Sequence, residues 1–158
     1  MSTIRAVLSR SSEYAIRALA LLSQQDEGNS LQSKEIAAEL GLPPDFLTKI
    51  LRRLIATDIV SSQRGRAGGF RLERAPASLS LMEIVSPFEG KFTGVECLIG
   101  QAYCSDKHAC PLHHDWVAIR RRFWDLLERT ALSDIAERAV RGPFLNNLSR
   151  DDAAPAPE

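Results

Sequence analysis

The sequence predicts a mainly α-helical chain with a small β-hairpin wing: a winged helix-turn-helix domain followed by a long C-terminal dimerisation helix. Three observations predict it. Two short helical segments, 33–40 and 44–58, meet at Gly41 and Pro44. Next come two strand-like runs, Val60-Ser-Ser and Gly69-Phe-Arg-Leu, flanking a Gly/Arg-rich tip. Finally, from His113 to Thr130, apolar residues recur at helical spacing.

Taken in order, residues 11–24 carry Ala15, Ile16, Ala18, Leu19 and Leu22, apolar on most sides, which predicts a largely buried helix. The polar stretch Gln25 to Ser30 reads as a loop. Ser33 is placed to cap a helix whose inner face is Ile36, Ala37 and Leu40, and Gly41 stops it. Pro44 suits the first position of the following helix, where a missing N–H costs nothing. Its apolar stripe is Leu47, Ile50, Leu51, Leu54 and Ile55. Two helices joined by a tight glycine-containing turn are a helix-turn-helix, and the hairpin that follows is the wing. Ser80 and Glu83 are spaced as a capping box, with Leu79 and Ile84 as a hydrophobic staple, for a helix ending before Pro87. Residues 91–112 show no period. Ser133 begins a last short helix, broken at Gly142-Pro143, and the Ala/Pro/Asp tail after Arg150 reads as disordered. The chain thus divides into a winged helix-turn-helix domain (1–90), a cysteine loop (91–112), a dimerisation helix region (113–140) and a tail (141–158).

With 158 residues, 44% hydrophobic and 25% charged, the chain can build a core. Its formal net charge is zero, so any case for nucleic acid rests on where the charges sit. No run approaches the roughly 20 apolar residues that cross a bilayer. Met1 to Arg10 lacks the layout of a secretion signal, so a cytoplasmic location without membrane contact is expected. An odd count of three cysteines in a reducing compartment favours metal binding or thiol chemistry over disulfides.

The second helix of the motif presents Asp45, Thr48, Lys49 and Arg52 at steps of three, four and seven, together facing a major groove. Between residues 49 and 74 seven basic residues (Lys49, Arg52, Arg53, Arg64, Arg66, Arg71, Arg74) stand against Asp58 and Glu73, a local net of +5. Arg64 and Arg66 lie beside glycines, which let them reach a minor groove. Charge alone is equally compatible with a solvated face; charge together with the helix–turn–helix–hairpin order points to double-stranded DNA. Trp116, Ile119, Phe123 and Leu126 are more apolar surface than a lone surface helix carries. Packing against a twin would give a twofold homodimer and a palindromic operator, although the stripe could also fold back on its own domain.

The cysteines run Cys97-x6-Cys104-x5-Cys110, followed by His113 and His114. Zinc fingers and ribbons pair their ligands more closely. Wider spacing lets a loop wrap a larger object, and thiolates are the usual ligands of iron–sulfur clusters, with histidine sometimes replacing one. His113, three residues after Cys110, is a candidate fourth donor; His108 and His114 read as solvated. Zinc, a thiol redox switch, or no metal remain open on spacing alone. A Cys/His enzyme lacks an orienting Asp or Asn and an oxyanion arrangement, so catalysis is not expected.

These motifs, in this order, resemble the bacterial family of Rrf-two type regulators that includes IscR, NsrR and RirA. The resemblance spans Ser9 to about Val140. It is carried by Glu13-Tyr-Ala-Ile-Arg17, Ile50-Leu-Arg-Arg-Leu54, Val60-Ser-Ser-Gln-Arg-Gly65, Gly68-Gly-Phe-Arg-Leu72, the three cysteines and Cys110-Pro-Leu-His-His-Asp-Trp116. It implies a dimeric winged-helix regulator that binds a [2Fe–2S] or [4Fe–4S] cluster, the former favoured here, and responds to iron, redox state or nitric oxide. It implies Cys97, Cys104 and Cys110 as ligands. IscR-like members add a histidine that falls on His113; nitric-oxide-sensing members add a carboxylate from the partner's first helix, at the position of Glu13. The Cys-x2-His-x2-Trp run favours His113, while the first cysteine interval is one residue longer than in IscR-like members. DNA contacts carried over are Asp45, Thr48, Lys49 and Arg64. Thr48 stands where IscR-like members have a glutamate that discriminates between site classes.

Overall fold

The computed structural model describes residues 7–26, 28–65, 68–89, 97–100 and 104–140. Arg66, the break at Gly142-Pro143, the tail and residues 91–96 and 101–103 of the cysteine loop lie outside the described residues.

The first helix, α1 (Arg10–Leu22), is the hub. Its residues Ala15, Ile16, Ala18, Leu19, Ala20, Leu21 and Leu22 are all buried, as expected of a segment apolar on most sides. Ser9 caps it, accepting from the Ser12 N–H at 3.2 Å. Glu89, far along the chain, accepts the Ser9 N–H at 2.7 Å and the hydroxyl of buried Ser12. A carboxylate at a helix N-terminus also meets the positive end of the backbone dipole. The start of α1 is therefore tied to the chain just ahead of the cysteine segment.

Helix α2 (Ser33–Leu40) buries Ile36, Ala37 and Leu40 and ends at Gly41, whose φ of 65° is the left-handed turn that glycine adopts freely. The cap is Gln32, not Ser33: the Gln32 N–H donates to Glu35 at 2.6 Å. The reason is tertiary. Leu31 pairs with Phe70 by two backbone hydrogen bonds of 3.0 and 2.7 Å, which fixes the chain as extended up to Gln32. Helix α3 (Pro44–Ile55) begins with Pro44 as expected and buries Leu47, Ile50, Leu51 and Leu54. It stops three residues short of Asp58, which takes a φ of 55° and turns the chain into the hairpin.

The strands β1 (Val60–Gln63) and β2 (Gly69–Leu72) pair antiparallel, Val60 opposite Leu72 and Gln63 opposite Gly69. The Leu31 bridge adds a one-residue third strand to β2 and anchors the wing to the body. Gly69 permits that approach: a Cβ there would lie 2.5 Å from the Leu31 carbonyl oxygen, inside any tolerable contact.

Helix α4 (Leu81–Val85) has the foreseen capping box. The Ser80 hydroxyl accepts the Glu83 N–H at 3.2 Å, and Glu83 returns to the Ser80 N–H at 3.0 Å. Leu79 and Ile84 are fully buried. The Arg74 guanidinium, 2.7 Å away, holds the Glu83 carboxyl below the usual carboxylate range, and the Ser80 N–H adds to this. A carboxyl lowered by folding stabilises the fold above its unfolded pKa, and that contribution is lost as pH falls through the folded value. We therefore expect the difference in melting temperature between the wild type and Glu83→Gln to be present at pH 7 and to shrink as pH falls below the ordinary glutamate value of about 4.3. Circular-dichroism melts at pH 7 and below that value check this.

Helix α5 (His113–Arg129) and α6 (Leu132–Val140) complete the chain. Backbone bonds Leu81 N to Thr130 O (2.9 Å) and Leu132 N to Leu79 O (2.8 Å) tie their junction to α4. Helix α1 packs against α2, α3, α4, α6 and β2, so the wing, the reading helix and the C-terminal helices share one core. The apolar stripe of α5 is divided. Leu127 is buried and Phe123 packs on the core, whereas Ile119 is 57% and Leu126 59% exposed.

Candidate functional site

The structure presents two groups of side chains. On α3 the four positions expected to face a groove lie on one side, with Asp45, Lys49 and Arg52 exposed and Thr48 half-buried. The core stripe of α3 sets this orientation: with Leu47, Ile50, Leu51 and Leu54 inward, the positions between them point out. The Thr48 hydroxyl donates to the Pro44 carbonyl of its own helix at 2.8 Å.

The seven basic residues counted in the sequence divide in the fold. Arg53 donates to the Pro87 carbonyl at 3.3 Å and lies 5.8 Å over the Phe88 ring, so it braces α3 against the turn after α4. Arg71 bonds the Ser61 hydroxyl at 3.2 Å and lies 3.5 Å from Glu73. Arg74 holds Glu83 and the Ser78 carbonyl, each at 2.7 Å. Lys49, Arg52 and Arg64 are exposed and stand on the reading helix and at the wing tip. The tip turns on glycines: Gly65 has a φ of 113°, and a Cβ on Gly68 would lie 2.4 Å from the Gln63 carbonyl oxygen. Arg66 lies outside the described residues.

The second group lies where the cysteine segment enters α5. Cys97, Cys104 and Cys110 are each half-buried, and none is in a disulfide. Cys104 Sγ stands 3.3 Å from His113 Nδ1, and His113 Nε2 stands 2.8 Å from Asp106 Oδ1. His113 is 3% exposed, whereas Asp106, on the single turn of 3-10 helix Asp106–His108, is open to solvent. The Cys110 carbonyl accepts the His113 N–H at 2.9 Å and starts α5, and the Cys97 carbonyl closes a turn with Gly100 at 3.1 Å. Cys104 and His113 are therefore together, and Asp106, which the spacing gave no reason to single out, joins them. Among the described residues no three His, Cys, Asp or Glu side chains converge into a metal-holding group. Cys97 and Cys110 are not gathered onto the Cys104–His113 pair, and Glu13, half-buried in the first turn of α1, stands apart from it. His108 and His114 are exposed, as solvated residues would be.

The donor chemistry fits a metal or cluster. With metal–sulfur and metal–nitrogen bonds of about 2.3 and 2.0 Å, the sulfur–nitrogen edge of a tetrahedron is about 3.5 Å. The observed 3.3 Å leaves both atoms within reach of one ion. Among the described residues no helix is long and apolar enough to cross a membrane.

Comparison with known proteins bears on the family and the fold. A Mycobacterium tuberculosis protein named as an HTH-type transcriptional regulator is 32% identical over 134 residues, covering 84% of this chain and 83% of that protein. NsrR of Bacillus licheniformis is 29% identical over 129 residues, covering 81% and 90% respectively. Among solved structures, CymR, the global cysteine regulator of B. subtilis, superposes with a TM-score of 0.72 at 24% identity, covering 87% of this chain and 98% of that one. IscR of T. potens superposes with 0.68 at 21%, covering 87% and 91%, so both share the winged-helix fold. The family model described as "Rrf2: Iron-dependent Transcriptional regulator" matches residues 8–138. With nearly its whole helical body so matched, this chain belongs to the Rrf2 family of DNA-binding transcriptional regulators.

Proposed function

We propose that this chain works in the cytoplasm as a homodimer whose affinity for a palindromic operator is switched by an iron–sulfur cluster, [2Fe–2S] being favoured. Its ligands are Cys97, Cys104, Cys110 and His113. The observation that carries the reading is the approach of Cys104 Sγ to His113 Nδ1 at 3.3 Å; Cys97 and Cys110, neither in a disulfide, are the further thiols of the same segment of sequence. NsrR among the relatives and IscR among the structural neighbours agree with it. A cluster held by Cys97, Cys104, Cys110 and His113 would supply a redox-responsive centre.

The chain's own residues do the rest. Lys49, Arg52, Arg64 and Arg66 meet phosphates and base edges, with Asp45 and Thr48 beside them on the reading helix. Leu112, Ile119 and Leu126, each seven residues apart and exposed, alternate with half-buried Trp116 and Phe123. That is a two-position heptad seam suited to a second copy. Glu89, just ahead of the cysteine segment in the sequence, holds the start of α1, and its neighbours Phe88 and Pro87 hold Arg53 of α3. In this reading the effect of the cluster reaches the first helix through Glu89 and the reading helix through Pro87 and Phe88. For a switch, the cluster must bind the two dimer states with different free energies.

Anaerobic purification followed by iron and sulfide analysis tests the ligand half of the reading. A brown protein with both elements is expected, together with an operator affinity that changes at least fivefold when the cluster is removed. A colourless protein containing zinc would replace the reading with a zinc-bound or thiol-based regulator. Equal affinity with and without cluster would end the switch.

A further inference from the structure

We propose that Asp106 is a positioning residue for the cluster: it holds His113 in the tautomer and rotation that turn Nδ1, rather than Nε2, toward the metal. The inference rests on the cluster reading above and deepens it.

A buried imidazole needs partners for both ring nitrogens, since a polar atom without one is costly away from water. His113 is 3% exposed and has both. A neutral imidazole carries one N–H and one lone pair. An ionised carboxylate can only accept, so the nitrogen that meets Asp106 Oδ1 at 2.8 Å is the one that bears hydrogen. Nε2 is that nitrogen. The lone pair is then on Nδ1, directed to the side where Cys104 Sγ lies at 3.3 Å. The electron pair required for ligation and the thiol required for ligation already share one region, and the carboxylate stands on the opposite edge of the ring.

A carboxylate behind a ligating histidine fixes ring orientation and raises ligand basicity, and its loss commonly costs tenfold to a hundredfold in metal affinity. Asp106 can play this part at little expense. Its side chain is 94% exposed, so no buried charge has to be compensated, and the 3-10 turn Asp106–His108, closed by His108 N to Ser105 O at 3.2 Å, sets its place. Exposure also makes the test clean, because replacing Asp106 removes nothing from the core.

The experiment uses the full chain, loaded anaerobically with ferrous iron and sulfide, as wild type, Asp106→Ala, Asp106→Asn and His113→Ala. Cluster lifetime against an iron chelator is followed by visible absorbance, and the reduction potential is measured. Pulsed electron paramagnetic resonance of the reduced cluster is recorded with histidine labelled by nitrogen-15 at Nδ1 or at Nε2. Asp106→Ala is expected to lose its cluster about tenfold faster and to show a higher potential, since a less basic imidazole donates less to the oxidised metal. Asp106→Asn, whose amide oxygen still accepts from Nε2, is expected to recover most of the lifetime but not the potential. The strong nitrogen coupling is expected to follow the Nδ1 label. A strong coupling that follows the Nε2 label overturns the inference. So does an Asp106→Ala protein matching the wild type in lifetime and potential while His113→Ala differs, and in both cases the cluster reading stands. If His113→Ala also matches the wild type, His113 is not a ligand and both the fourth-ligand assignment and the role of Asp106 fall. Wild type without iron or sulfide sinks the cluster reading itself, and this inference with it.

Discussion

Aspartate introduced at both Ile119 and Leu126 is expected to convert the proposed dimer to monomers and to weaken operator binding by at least a hundredfold. The two residues are 57% and 59% exposed in the single chain, so the substitution leaves the monomer core intact. In a dimer they would sit at the seam, where two like charges would be buried against their symmetry mates without partners. Losing the second half-site removes an effective-concentration advantage on the order of a hundredfold to ten-thousandfold. Light scattering would report the mass, fluorescence anisotropy the operator affinity, and far-ultraviolet circular dichroism the retained helix. A double variant that stays dimeric would place the interface on another face of the molecule.

The second large effect concerns the reading helix. Lys49→Ala with Arg52→Ala is expected to reduce operator affinity by about a hundredfold or more, since each base-edge contact is worth about 1–3 kcal/mol. Any phosphate contact among them also lowers the slope of affinity against salt by about one. Arg53→Ala is the internal control. Its guanidinium is engaged with Pro87 and Phe88. Removing it is expected to cost about 1 kcal/mol of stability and to leave the salt slope unchanged. Titrations at several salt concentrations separate the two. A salt slope that falls as far with Arg53→Ala as with the pair would show that Arg53 reaches DNA.

That contrast shows how far sequence could carry the argument. Counting charge between residues 49 and 74 treats all seven cations alike. Only folding reveals that Arg53, Arg71 and Arg74 are taken up by Pro87, Glu73 and Glu83, because their partners are set by which surfaces pack. The same holds at the cysteines. Their crowding, and His113 three residues beyond the last, were visible as spacing. Asp106 was not, since nothing in its type or position marks it until the 3-10 turn brings it to the far edge of the imidazole.

Local chemistry was determined by the sequence itself. The stripe of α3, the stop at Gly41, Pro44 at a helix start, the Ser80–Glu83 box and the glycines of the wing are short-range matters, settled within a few residues by sterics and backbone hydrogen bonding. The tertiary structure decided whatever joins distant segments. Gln32 became the cap because Leu31 pairs with Phe70, and Glu89 crosses the molecule to hold Ser9 and Ser12. The apolar stripe of α5 is shared between the core and solvent because α4 covers one side of it and not the other. The physical reason is reach: periodicity tells which face of an element is apolar, but only packing tells what meets that face.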